Sequence, residues 1–137
     1  MLFERLARWM ARPKAGDDLG SRGEHLVARD LRRRGYKILE INWWCRRGEV
    51  DVICRTPDRR VLVFVEVKTR RNTDVDPEIQ VNQRKRRQVA GAAKVFCRRF
   101  GDDLPPCRFD IAAVVWAEDE TPVIRYHENA FAPMDMY

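Results

Sequence analysis

Histidine is scarce in this chain, with two in 137 residues, and cysteine is limited to four. His25 and His127 have no partner spacing that suggests a metal site or a catalytic triad, and both read as structural. Cys45, Cys54, Cys97 and Cys107 form neither a C-x-x-C pair nor a zinc-type pattern. A disulfide framework belongs to small secreted domains, so reduced thiols and a cytoplasmic setting are expected. No apolar run approaches the ~20 residues that cross a bilayer, so no stable membrane association is expected. The opening MLFERLARWMARPK carries charge throughout and does not read as a secretory leader. Phosphate-binding loops, dinucleotide fingerprints and nucleophilic serine motifs are missing, as are repeats and low-complexity segments.

Acids are the minority charge. Lys and Arg number 27 against 21 Asp and Glu, a net charge of +6, and arginine dominates the basic set. Its planar fork suits phosphate, and a basic domain is commonly a polyanion binder. With 45% hydrophobic and 35% charged residues, the chain fits one globular domain with a heavily charged surface.

The organising stretch is Arg46 to Arg71, read as two neighbouring strands. In VLVFVEVK, residues 61–68, five apolar residues precede the first charge. A run apolar at odd and even positions alike belongs to a strand covered on both faces, central in its sheet. Alternation puts Glu66 and Lys68 on one face with Leu62 and Phe64, and puts Glu49, Asp51 and Ile53 on one face of the preceding strand, opposite Val50, Val52 and Cys54. Asp51 near the start of one strand and Glu66-Lys68 near the end of the next share one end of an antiparallel hairpin. If the faces agree, two carboxylates and an amine converge. Such a pair suits Mg²⁺ or Mn²⁺, which take one or two carboxylates together with water and substrate phosphate. Acid-x-Lys alone is frequent by chance and equally describes a rim ion pair. The upstream Asp51, the buried strand and the flanking basic charge favour the metal reading.

Around this stretch the order α-β-β-β-α-β-β is expected, a mixed α+β sheet flanked by helices, with an extra N-terminal helix. Residues 2–10 form an amphipathic helix, packed on its own domain or offered to a surface, and a linker follows through Leu19. The next helix runs from Ser21 to Gly35. There Ser21-x-x-Glu24 reads as a capping box. Tyr36 to Ile41 is the first strand, Asn42-Trp43-Trp44 its turn, and residues 48–55 the second strand. Thr56-Pro57-Asp58 turns into the third, and residues 71–81 read as a loop. A helix from Asn82 to Phe100 closes at Gly101, and strands follow at 107–117 and 122–126. The main domain spans residues 20–131, leaving a tail at 132–137.

Arg84-Lys85-Arg86-Arg87 opens the later helix, where cations oppose the helix dipole. A solvated face is the usual explanation, but helix N-termini also attract phosphate. With Lys68, Arg70 and Arg71 these residues could line a track for a nucleic-acid backbone. Trp43 beside Arg46 and Arg47 either stacks on unpaired bases or packs in the core.

RGEHLVARDLRRRGYKILEINWWCRRGEVDVI, followed by VFVEVKTR and a basic helix, resembles the YraN-like family. That family falls by similarity in the PD-(D/E)xK restriction-endonuclease-like superfamily, near Holliday-junction resolvases. The resemblance covers residues 20–131. It implies a Mg²⁺- or Mn²⁺-dependent nuclease core acting on DNA in preference to RNA, with Asp51, Glu66, Lys68 and the helix-borne Glu24 as site residues. The Val67 carbonyl would be a further metal contact, and a homodimer would suit paired cuts. The chain departs from the family pattern at Trp44, where relatives more often carry a basic residue. It departs again at Asp76, where many carry glycine before the proline.

Overall fold

The computed structural model describes residues 19–71, 83–117, 119 and 121–132. The expected N-terminal helix, most of the linker, nearly all of the 71–81 loop and the tail beyond Ala132 lie outside these residues.

The elements are α1 (Leu19–Arg33), β1 (Lys37–Cys45), β2 (Gly48–Arg55), β3 (Leu62–Arg71), α2 (Gln83–Cys97), a 3-10 turn (Arg98–Asp103), β4 (Cys107–Trp116) and β5 (Pro122–His127). They build a five-stranded mixed sheet in the order β1-β2-β3-β4-β5. β3 is its central strand, antiparallel to β2 and parallel to β4. The sheet and its two helices make an α+β fold consistent with a restriction-endonuclease-like core.

Each helix covers one face of the sheet. On the α1 side, Val27 and Leu31 meet Val52, Cys54, Val63, Val65, Ala112 and Val114. On the α2 side, Val89, Ala92, Ala93 and Phe96 meet Val50, Ile53, Leu62, Phe64, Phe109 and Ile111. The alternating side chains of Leu62–Val65 thus enter two cores in turn, which is why the run is apolar at every position. All four cysteines are free, and the Cys97 and Cys107 sulfurs lie 3.9 Å apart. Among the described residues no helix is long and apolar enough to cross a membrane.

Three local expectations need correction. Trp43 and Trp44 belong to β1 and not to a turn; β1 continues to Cys45, and the turn is Arg46-Arg47. Asn42 looked like a turn residue because it takes the left-handed conformation (φ 55°), which asparagine tolerates, but here it does so inside the strand. Val50 packs with Ile53 on the α2 side while Val52 packs on the α1 side, so strict alternation fails at Asp51. That break lies between the rungs Ile41–Val52 and Trp43–Val50, opposite Asn42. Finally, α1 begins at Leu19, so the backbone at Ser21 is already helical and cannot act as an N-cap.

The β1–β2 turn docks on α2 through two glycines. A Cβ on Gly48 would sit 2.6 Å from the Gln88 carbonyl oxygen, and one on Gly91 would meet the Arg47 side chain at 3.0–3.5 Å. Gly48→Ala must push α2 off the sheet and is expected to lose about 1–3 kcal/mol of stability. Urea unfolding measures this, and an unchanged midpoint would show that the turn has slack.

Candidate active site

Among the described residues the buried polar side chains are Asp51, Thr56, Glu66 and Asp110. Two of them have evident structural duties. Thr56 Oγ1 donates to Asp58 Oδ1 at 2.6 Å and accepts the Val61 N–H at 3.1 Å, closing the β2–β3 turn. Asp110 accepts Arg108 at 2.8–2.9 Å through both oxygens, and the Asn129 N–H at 2.9 Å. It is fully used in tying the C-terminal segment to β4.

Asp51 and Glu66 are different. The β2–β3 ladder runs from Arg55–Leu62 to Val52–Val65, and at the next position Asp51 Oδ2 accepts the Val67 N–H at 2.7 Å. A side chain thus replaces a backbone acceptor where the two strands part, and this fixes one carboxylate against the other strand. Glu66, 3% exposed, comes from β3 with Phe64 and therefore faces α2. Its Oε1 lies 3.5 Å from Lys68 Nζ and 3.5 Å from Lys85 Nζ. Its Oε2 is buried and meets no protein donor, while a protonated Glu66 shares its hydrogen with Asp51. Burial, then the charge of Asp51, push the Glu66 carboxyl up to about 7, while Lys85 and Lys68 pull it back. Glu66 keeps the α2 side with Phe64, and Asp51 lies near enough for its charge to act on it.

Buried like charges are unfavourable, and an orphaned buried oxygen adds to the cost. Here the orphan belongs to the acid beside which Asp51 is anchored. Carboxylate oxygens are hard donors suited to Mg²⁺ or Mn²⁺. Asp51 and Glu66 Oε2 are oxygens of that kind, brought near one another where the strands separate. Among the described residues, however, no group of three or more His, Cys, Asp or Glu stands close enough to hold a metal. Glu24 comes from a different element, α1. It lies in the first half of α1, next to Gly23, where a Cβ would collide with Thr69 Oγ1. That contact holds this turn of α1 against β3 just past Lys68.

The basic residues divide. Arg84, Arg86 and Arg87 are exposed, whereas Lys85 is half-buried and reaches Glu66. Lys85 precedes Val89, Ala92 and Phe96 by four, seven and eleven residues, so it continues the apolar stripe of α2. Its inward position was legible in that spacing, but the run of four cations concealed it. Arg86 lies over the Phe131 ring at 5.7 Å. Arg46, Arg47, Arg70 and Arg71 are exposed, and the Arg47 side chain also lies over Gly91. Arg22, which no sequence signal singled out, stacks on Trp116 at 4.4 Å, and Trp116 is the rung partner of Arg71. The Trp43 ring meets Phe96 edge-on at 5.4 Å and packs against the core, the alternative to base stacking.

A family model described as "Uncharacterised protein family UPF0102" matches residues 23–114, a span holding Glu24, Asp51, Glu66, Lys68 and Lys85. A UPF0102 protein of Geobacter sulfurreducens is 42% identical over 114 residues, 82% of this chain and 88% of its own. A UPF0102 protein of Pelobacter propionicus is 40% identical over 113 residues, 82% and 81% of the two chains. Another, of Symbiobacterium thermophilum, is 40% identical over 114 residues, 82% and 95%.

Proposed function

This chain belongs to the UPF0102 family, and from its buried acid pair we propose that it is a divalent-metal-dependent endonuclease hydrolysing phosphodiester bonds of DNA, branched or single-stranded. The observation that carries this reading is the meeting of Asp51 and Glu66 with one buried oxygen unsatisfied.

Asp51, Glu66 and the Val67 carbonyl would hold Mg²⁺ or Mn²⁺, with Glu24 as the candidate from α1. Bound there, such an ion supplies Lewis-acid polarisation of the phosphodiester and offsets charge during in-line displacement. The remaining work falls to the protein. The Asp51–Val67 hydrogen bond keeps one carboxylate in place before substrate arrives. Lys68, 26% exposed beside the nearly closed Glu66, presents its amine at the rim. From there it can orient the attacking water or stabilise the oxyanion that develops on phosphorus. Exposed Arg46, Arg47, Arg70, Arg71, Arg84, Arg86 and Arg87 supply cations for the sugar-phosphate backbone, together with the part-exposed Lys85.

Labelled junction, flap, single-stranded and duplex DNA, incubated with purified protein and either Mn²⁺ or EDTA, test the proposal. Cleavage is expected with Mn²⁺ alone, slowed roughly 10²–10⁴-fold by Lys68→Ala. The reading fails if no substrate is cut, or if Asp51→Ala and Lys68→Ala cut like wild type. A second reading, binding of nucleic acid without turnover, draws on the same exposed arginines. Salt-sensitive binding with no cleavage under any condition would establish that one.

A further inference from the structure

One oxygen of Glu66 is shared by two ammonium groups from different elements. Lys68 reaches Oε1 through strand spacing, two residues along the same face of β3. Lys85 arrives at the same 3.5 Å from the first turn of α2, across the α2-side core. Its side chain is 31% exposed against 4% for Glu66, so the contact lies at the mouth of the buried pair. Of this run, Arg84, Arg86 and Arg87 are exposed, with Arg86 over the Phe131 ring, while Lys85 is half-buried and pairs with Glu66.

We propose that Lys85 is a positioning residue of the acid pair: an internal counter-cation of Glu66 that holds down the affinity of Asp51 and Glu66 for a divalent cation. The inference rests on the metal reading given above. Two adjacent buried carboxylates need positive charge near them, and in the metal-free protein Lys85 and Lys68 are the cations in contact with Glu66. A divalent ion entering beside Oε2 meets the charge of Lys85 on the far side of the same carboxylate. Like charges at such short range oppose each other even under water-like screening. Lys85 therefore supports the empty site and weakens the occupied one.

The test uses the full chain and Mn²⁺ alone, with binding read by calorimetry in wild type, Lys85→Met, Lys85→Arg and Lys94→Met. Lys94 is an exposed cation farther along α2 and controls for net charge. Lys85→Met is expected to bind Mn²⁺ roughly tenfold more tightly than wild type. Lys85→Arg keeps the charge and stays within about threefold of wild type, and Lys94→Met changes little. A metal-free readout accompanies this. In EDTA, Lys85→Met should lower the urea midpoint in the wild-type background, and by less than about half as much in a Glu66→Gln background. Equal Mn²⁺ affinity in wild type and Lys85→Met, or equal midpoint shifts in the two backgrounds, overturns the inference and leaves the metal site standing. If neither wild type nor Lys85→Met binds millimolar Mn²⁺, the metal reading itself falls, and the competition falls with it.

Discussion

Glu66→Gln is expected to make the metal-free protein more stable at pH 8, by about 2–3 kcal/mol, while eliminating metal-stimulated cleavage. Burial and the neighbouring Asp51 hold the Glu66 carboxyl at about 7 in the folded protein, against an ordinary 4.5. The folded state therefore keeps this proton longer than the unfolded chain does. The associated stability is fully present below pH 4.5 and is lost as pH rises through 7, where the carboxylate must ionise against its surroundings. Glutamine has no proton to lose. The difference between variant and wild type should be small near pH 4.5, grow across the window and level off above pH 7 to 8. Urea unfolding in EDTA at pH 5, 6, 7 and 8 measures it directly, because the other titrating groups cancel in the difference. Adding Mn²⁺ should then reverse the order by stabilising wild type alone. A difference that does not vary with pH, or a variant less stable throughout, would mean that Glu66 is comfortable as an anion. Glu66 would then need no cation beside it.

Phe96→Ala should have the largest effect on stability, a loss of about 3–5 kcal/mol. The ring is 1% exposed and is the hub of the α2-side core. Trp43 meets it edge-on at 5.4 Å, Phe64 edge-on at 6.0 Å and Phe100 tilted at 6.1 Å, while the Arg99 guanidinium lies 3.6 Å from its centroid. Truncation removes the apolar area and leaves a void that three other rings, anchored on three different elements, cannot all fill. Domains are typically stable by only about 5–15 kcal/mol, so the variant should unfold at much lower urea. Phe96 lies on the same stripe of α2 as Lys85. Any loosening of that helix should weaken the Glu66–Lys85 contact before the sheet melts. A loss under about 1 kcal/mol would show that the rings repack around the gap.

The most legible part of the chain was VLVFVEVK. Its unbroken apolar run marked the central strand, and Glu66 stood out because an acid there has no solvent to face. Asp51 followed from hairpin geometry, which brings the start of one strand to the end of the other. The sequence could not show that β2 and β3 separate at Asp51, because a side chain standing in for a ladder carbonyl leaves no trace in residue spacing. Asn42 signals a turn locally, and Trp43 and Trp44 follow it in sequence as if they belonged to that turn. Pairing with β2 and packing against Phe96 override that signal. The Ser21-x-x-Glu24 pattern is equally local, and the helix starts two residues before it. Lys85 shows the reverse case: its helical spacing was readable, but charge composition took precedence over periodicity.

The parallel pairing of β3 with β4 also bears on how the molecule reaches its native state. The β2–β3 hairpin needs only neighbouring residues to form, whereas Glu66 finds its rung partner Ile111 after the chain has passed through α2 and the turn behind it. Pairings distant along the chain are slow to form because the intervening loop must first be closed. The two acids thus come from neighbouring strands of one local hairpin, whereas the helix that covers Glu66 and brings Lys85 to it lies farther along the chain.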